Sequence, residues 1–165
     1  MTATVRAMTT ADVASVAAMM RALDAEGAEA DPRYRLHPGA DGHYEKLCHD
    51  EWMGIFSPYP IAWVAEDGDQ VVGFIQGATL RPDPMIEAPP TVHIRRVYVA
   101  PSYRRTGLGR HLVSAFTDAA EAAGFPRISV TTLGLDARAQ AFWTALGFGP
   151  LRLILCRETA SSDAS

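Results

Sequence analysis

Lysine is almost missing from this chain: Lys46 is the only one in 165 residues, and arginine carries the rest of the positive charge. Cysteine is scarce too. Cys48 and Cys156 form neither a C-x-x-C motif nor a ligand cluster, which removes a cysteine-based metal site and a disulfide framework. Reduced, buried thiols are expected instead. The five histidines include no H-E-x-x-H pair, so no metal is expected. No stretch reaches the roughly 20 apolar residues that a spanning helix needs. The N-terminus lacks a basic-then-apolar export pattern, so a cytoplasmic protein is expected. No internal repeat is visible. A net charge of −4 argues against bulk electrostatic binding to nucleic acid or to an anionic membrane.

What is present is ordinary for a globular chain, with 48% hydrophobic and 21% charged residues. A chain this long buries a core without disulfides or a structural metal. One domain over residues 1–158 is expected, with 159–165 as a frayed tail. The positive charge is not spread evenly. Arg95, Arg96, Arg104, Arg105 and Arg110 fall in one stretch that holds no acid. A local cationic patch on an acidic protein points to a compact anionic ligand, with a phosphate-bearing cofactor as the obvious class.

Thr4 to Met8 reads as a first strand. Thr9 and Asp12 suit a helix start, with a hydroxyl to cap and a carboxylate in the first turn. Val13, Val16, Ala17, Met20 and Leu23 follow helical spacing. Gly27 to Gly42 reads as a loop. Tyr44, Leu47, Cys48 and Trp52 suggest a second helix. Ile61–Glu66 and Val71–Leu80 are strand-forming, and Asp67-Gly68-Asp69 between them supplies hairpin turn chemistry. Arg81 to Pro90 has four prolines and is read as irregular. Thr91–Val99 is a strong strand ended by Pro101. A helix is expected from about Gly107 to Ala123, then a strand over Ile128–Leu133, a helix over Asp136–Leu146 and a last strand over Leu151–Cys156. The order predicts an α/β fold: a mixed sheet with helices on both faces.

The sharpest local signal is Arg104-Arg105-Thr106-Gly107-Leu108-Gly109-Arg110, which follows a strand and opens a helix. Glycines let backbone approach a ligand closely. The first helical turn offers unpaired N–H groups and a partial positive charge, a ready pocket for phosphate or pyrophosphate. Arginines add charge-assisted contacts. A P-loop would need a Gly-Lys pair followed by Ser or Thr, and no lysine is available. A dinucleotide fingerprint would need an acid on the next strand, and Ile128–Leu133 has none.

The stretch from Val97 through Tyr98, Val99, Ala100 and Pro101 to Arg104-Arg105-Thr106-Gly107-Leu108-Gly109 resembles the acetyl-CoA signature of the GNAT superfamily of N-acetyltransferases, an apolar strand followed by R/Q-x-x-G-x-G/A. Asp136 to Phe148, with Ala139, Phe142, Trp143, Gly147 and Phe148, is similar to that family's N-x-x-A-x-x-F-Y-x-x-x-G-F helix. The hairpin ending in Val71-Val72-Gly73-Phe74 is similar to that family's second and third strands. The resemblance is close over Ile61 to Phe148.

The resemblance implies a sheet of six to seven strands, largely antiparallel, with about four helices. It implies acetyl-CoA as co-substrate and direct transfer to an amine in a ternary complex. Backbone N–H groups over Arg105–Arg110 would hold the pyrophosphate, with Arg104 opening the motif. Val97, Tyr98 and Val99 would pair with the pantetheine arm, and Phe142 and Trp143 would pack beside it. The strands holding Thr91–Val99 and Ile128–Leu133 would splay around the thioester. The acceptor is a small-molecule amine or a protein amine, and the segment Asp24 to Pro60 would line its pocket. Homodimers are frequent in that family. A binding-only acetyl-CoA sensor and a longer-chain acyltransferase are the alternatives.

An attacking amine must lose a proton, so a base is required. His93, eleven residues before Arg104, is the first choice: the resemblance implies a base at this spacing, since the serotonin N-acetyltransferases carry a histidine there and several histone acetyltransferases a glutamate, and an imidazole titrates near neutrality. Nearby arginines would lower its pKa and favour the neutral form. A packing histidine is the competing reading. The acid is missing, because Trp143 stands where the family often has tyrosine and an indole only donates. Tyr98 and Tyr103 match no family acid, and the thiolate could leave unaided. Asp136 replaces the usual asparagine yet still caps a helix. His37, His43 and His49 show no ligand spacing, although His43 and His49 could face an acceptor site, and for His111, near the start of the cofactor helix, a cofactor contact competes with simple solvation. Of the Arg95–Arg96 pair, one is read as facing solvent or pairing with an acid elsewhere, ahead of the pair binding an acceptor with a carboxylate or phosphate.

Overall fold

A two-residue turn at Gly68-Asp69 sets the register of the whole sheet. In the computed structural model, which describes residues 3–37, 39–53, 60–80, 85 and 87–157, Gly68 takes φ 61° and Asp67 pairs with Gln70. The hairpin strands are β2 (Pro60–Asp67) and β3 (Gln70–Thr79), as the turn residues predict. With β1 (Thr4–Ala7), β4 (Thr91–Val99) and β5 (Arg127–Val130) they form one sheet in the order β1-β2-β3-β4-β5. The first four strands are antiparallel neighbours and β5 runs parallel to β4. The helices are α1 (Val13–Ala30), α2 (Tyr44–Trp52), α3 (Leu108–Ala122) and α4 (Ala137–Thr144).

Strand alternation sends neighbouring side chains to opposite layers. Ile75, Val92 and Ile94 pack with Leu112 and Phe116 of α3 and Trp143 of α4. Phe74, Val64 and Tyr98 pack with Val16 and Met20 of α1 and Cys48 of α2. One irregularity breaks the alternation. Gln76 pairs with Arg96 but Gly77 pairs with Ile94, so Arg95 is an extra residue in β4. The bulge shifts the phase. Ile94 and Val97 therefore both face α3, while Arg96 and Tyr98 face α1 and α2.

Four expectations need correction. The first helix does not stop at Gly27 but runs to Ala30. Gly27 is there for space: a Cβ would lie 3.2 Å from the Tyr34 ring and 3.4 Å from Leu133. The strand expected over Ile128–Leu133 ends at Val130, because β4 and β5 stop pairing after Ile94 and Val130. Leu151–Cys156 forms no strand, which leaves five strands among the described residues where six to seven were expected. Its residues have the propensity but no ladder partner, and Leu153 and Ile154 are 82% and 86% exposed. Cys48 is buried as expected, but Cys156 is exposed. Residues 81–84, 86 and the tail 158–165 lie outside the described residues, so the irregular Pro-rich segment is seen only in part. No described helix is long and apolar enough to cross a membrane.

The start of α1 is tied to the sheet by a charged clamp. Arg6 of β1 forks onto Asp12 at 2.8 and 2.9 Å and also reaches Glu66 of β2. Thr9 donates its N–H and hydroxyl to the Asp12 carboxylate. The Arg6 contact, helped by Thr9 and opposed by burial, holds the Asp12 carboxyl down at about 2. A depressed folded pKa gives stability that is full above the unfolded value, near 4, and is lost as pH falls towards 2. The full linkage would be about 2 kcal/mol; with Arg6 36% exposed, about 1 kcal/mol is expected. Urea unfolding of wild type and Asp12→Asn at pH 7 and pH 3 checks this: the gap between them should narrow at pH 3.

Candidate active site

The turn between β4 and α3 is built from backbone. After a short 3₁₀ turn at Pro101–Tyr103, Arg105 adopts φ 67° and Gly107 φ 91°. Glycine accepts that conformation freely, whereas for Arg105 it costs on the order of 1 kcal/mol. The result is a concave run of donors. The six backbone N–H groups from Arg105 to Arg110 find no backbone acceptor among the described residues. They surround the N-terminus of the 15-residue α3. Thr106 donates its hydroxyl to the Tyr103 carbonyl at 2.7 Å, which braces the turn. Arg105, Thr106, Gly107 and Arg110 are exposed, and Leu108 is buried beneath them. Such a turn is an anion cradle.

The gap between β4 and β5 opens beside it. Pairing ends at Ile94 and Val130, so Val97 to Val99 run on without a β5 partner. Thr132 lies two residues beyond the last pair, and its buried Oγ1 has no hydrogen-bond partner among the described residues. An orphaned buried hydroxyl costs about 1–3 kcal/mol unless something fills its valence. An open cleft of about 440 Å³ runs between the end of α1 and the start of α4, with Glu26, Glu29, Asp136 and Arg138 on its walls.

His93 sits where the strands begin to part. Its Nδ1 is 2.9 Å from Ser129 Oγ, and its Nε2 is 3.4 Å from Thr131 Oγ1. Burial, then the charge of Arg95, lowers its pKa from the ordinary histidine value, so the ring stays neutral at neutral pH. On the same side of the sheet, Glu51 of α2 accepts from Arg95 at 3.2 Å, from Arg96 at 2.6 Å and from the Gln76 amide. Its side chain is only 9% exposed. Because the bulge turns both arginines to the α2 side, one carboxylate serves both, where solvent or an acid partner was expected for one of them. Asp24 accepts from the hydroxyls of Tyr34 and Tyr44, each at 3.0 Å, next to this network. Burial and Asp24 push the Tyr44 phenol up to about 12, and burial pushes the Cys48 thiol up to about 11, so neither ionises near neutrality.

Other expected site residues take clear positions. Arg104 is not a free phosphate ligand: its guanidinium donates to the Val99 carbonyl at 2.8 Å and to Glu26 at 2.5 Å, and lies 5.3 Å from the Tyr98 ring centre. It fastens the end of β4 to α1. Asp136 caps α4 by accepting from the Ala139 N–H at 3.0 Å. The Phe142 ring would be 3.4 Å from a Cβ on Gly109, so α4 closes against the glycine turn. Trp143 is buried edge-on between Phe142 and Phe148. Tyr98 is buried, and Tyr103 donates its hydroxyl to Asp67 at 2.8 Å. His111 is exposed on α3. No group of three His, Cys, Asp or Glu side chains that could hold a metal stands together among the described residues. Sequence reasoning missed Glu51, Ser129 and Thr132. For Glu51 a signal existed: it falls three residues after Cys48, on the buried stripe of α2.

A profile described as the acetyltransferase (GNAT) family matches residues 22–148. Among curated proteins, N-acetyltransferase family 8 member 3 of Rattus norvegicus is 33% identical over 92 residues, which are 56% of this chain and 40% of that protein. The match thus spans less than half of the relative's length. Among solved structures, an aminoglycoside N-acetyltransferase in complex with CoA has a TM-score of 0.71 at 16% identity, with 96% of this chain and 95% of that one covered. A ribosomal-protein-alanine N-acetyltransferase from Brucella melitensis biovar Abortus 2308 has a TM-score of 0.66 at 16% identity, with 95% and 100% covered. At these identities the structural matches speak for the fold alone.

Proposed function

We propose that this chain, which belongs to the acetyltransferase (GNAT) family, transfers an acetyl group from acetyl-CoA to a primary amine by direct attack in a ternary complex. The observation that carries this is one juxtaposition. A cradle of six N–H donors at Arg105–Arg110 stands at the end of β4, against Val99, and His93 stands on the same strand where β4 and β5 part, with the unpaired stretch of β4 between them.

The residues present fit the co-substrate. The cradle suits a pyrophosphate, the unpaired edge of Val97–Val99 suits an amide-bearing arm, and the orphaned Thr132 hydroxyl needs a polar partner. Acetyl-CoA supplies an activated thioester. The chain's own groups position it, exclude water and take up the proton. His93 is the base, and its lowered pKa keeps it ready to accept at neutral pH. Arg95, Arg96 and Glu51 form one side of the acceptor pocket, and the acceptor is read as a small-molecule amine. The reading takes residues 1–158 as one domain acting in the cytoplasm, without a resident metal.

Release of free thiol from acetyl-CoA in the presence of a panel of amines, including amino sugars and peptides, tests the reading. Acceptor-dependent thiol release supports it; none across the panel, with acetyl-CoA bound, favours the second reading, a binding domain without turnover. That second reading draws on Trp143, which is buried between two rings and offers no ionisable acid. Thr132→Val should raise the Kd for acetyl-CoA about fivefold, the worth of one hydrogen bond, with kcat nearly unchanged. Isothermal titration with acetyl-CoA measures this directly.

A further inference from the structure

We propose that Ser129 is a positioning residue that holds His93 in the tautomer protonated on Nδ1, leaving the Nε2 lone pair for the reacting amine. The inference rests on the reading of His93 as the base. It starts from strand register. His93 and Ser129 are directly paired in the parallel β4–β5 ladder, so their side chains stand side by side on one face. Thr131, two residues on, shares that face but lies beyond the last pair, where the gap opens. The ring spans the two environments. Nδ1 points inward to Ser129 Oγ at 2.9 Å, and Nε2 points outward to the exposed Thr131 hydroxyl at 3.4 Å.

A neutral imidazole has one N–H and one lone pair, and the bond made by one nitrogen decides what the other presents. A serine hydroxyl can donate as well as accept; taken here as the acceptor of Nδ1–H, it leaves Nε2 facing the gap as an acceptor. In the reverse arrangement the gap would meet an N–H, which can take no proton. Ser129 Oγ accepts from Nδ1–H both before and after the ring is protonated, so no group need turn during the reaction. A hydroxyl is also the suitable partner by charge. A carboxylate in its place would raise the ring's basicity and hold it protonated. The groups facing the ring are Arg95 on β4, the hydroxyls of Ser129 and Thr131 on β5, and Ala78 opposite on β3; Glu51 of α2 is already engaged by both arginines.

The step balances as follows. The neutral amine's lone pair forms a bond to the thioester carbonyl carbon, the C–S bond breaks, and sulfur leaves with the electron pair. The surplus proton on nitrogen passes to Nε2, directly or through Thr131 or one water, and from there to sulfur or solvent.

The test is the imidazole ¹⁵N spectrum of histidine-labelled protein above the pH at which His93 titrates, with His93→Gln assigning the signals. Wild type and Ser129→Thr should carry the proton on Nδ1, and Ser129→Ala should shift it towards Nε2. For an amine that turns over, Ser129→Ala should lower kcat about tenfold, part of what a general base supplies, with the KM for acetyl-CoA unchanged. Ser129→Thr should restore kcat to within threefold. A wild-type ring protonated on Nε2, or a tautomer unaltered in Ser129→Ala, overturns the positioning role whatever His93→Ala does to turnover. Full kcat in His93→Ala overturns the base reading, and the positioning role with it, even where the tautomer is as stated.

Discussion

His93→Ala should lower kcat by about 10²- to 10⁴-fold, the range a positioned general base contributes, while acetyl-CoA binding stays within twofold of wild type. The cradle at Arg105–Arg110 does not involve this side chain, so binding and chemistry separate in the variant. The pH dependence carries the sign. Burial and Arg95 lower the folded pKa of His93, so its neutral, accepting form persists to lower pH than in an ordinary histidine. In wild type the acidic limb of kcat should therefore lie at lower pH than an unperturbed histidine would place it, with kcat falling as pH drops through the lowered pKa. His93→Ala should lose that acidic limb together with the rate. Measuring kcat at saturating amine keeps the acceptor's own titration out of the profile. If His93 merely packs, the variant loses a hydrogen bond to Ser129, its kcat stays within a few fold, and the limb is unchanged.

Gly77→Ala should destabilise the protein by about 3 kcal/mol or more through overpacking, a large part of the 5–15 kcal/mol that a domain has in total. A Cβ at Gly77 would penetrate the shell of the His93 carbonyl oxygen and lie 2.7 Å from Phe116, which is itself fully buried. Neither neighbour can give way, since one is backbone at the β4 bulge and the other fills the α3 core. The melting temperature should fall by roughly 6–12 °C. Gly134→Ala is the control: nothing lies within 4 Å of its Cβ position, and a change within about 0.5 kcal/mol is expected. Because Gly77 sits across from the bulge, the variant should also disturb the placement of Arg95, Arg96 and His93. Equal melting temperatures for the two variants would mean that the bulge has slack that the packing does not show.

The parts of this molecule that were legible in the sequence are those written in local backbone chemistry. Asp67-Gly68-Asp69 marked a hairpin because a two-residue turn needs positive φ. The glycine turn before α3 was legible for the same reason, and Asp136 was legible as a cap. His93 stood out because the GNAT resemblance implies a base at that distance before Arg104, and the strand pairing brings it to the mouth of the gap. What was hidden depends on partners far apart in the chain. Glu51 acquires its role only when α2 docks against the bulge, and a bulge depends on how β3 and β4 pair, not on either strand alone. Ser129 is an ordinary strand serine until the register sets it beside His93. Gly27 looked like a helix stop because a glycine's need for space reads the same as its freedom to turn. Leu151–Cys156 looked like a strand because alternation says nothing about whether an edge is there to receive it.

The central claim is that the turn at Arg104–Arg110 and the gap beside it receive acetyl-CoA. Thermal unfolding with and without acetyl-CoA tests it most directly. At 100 times Kd the bound state should gain about 2.7 kcal/mol, a rise of roughly 5–11 °C in Tm for a domain of this size, while nicotinamide dinucleotides should give none. An unchanged Tm at millimolar acetyl-CoA would contradict the account and leave the turn as a purely structural helix start.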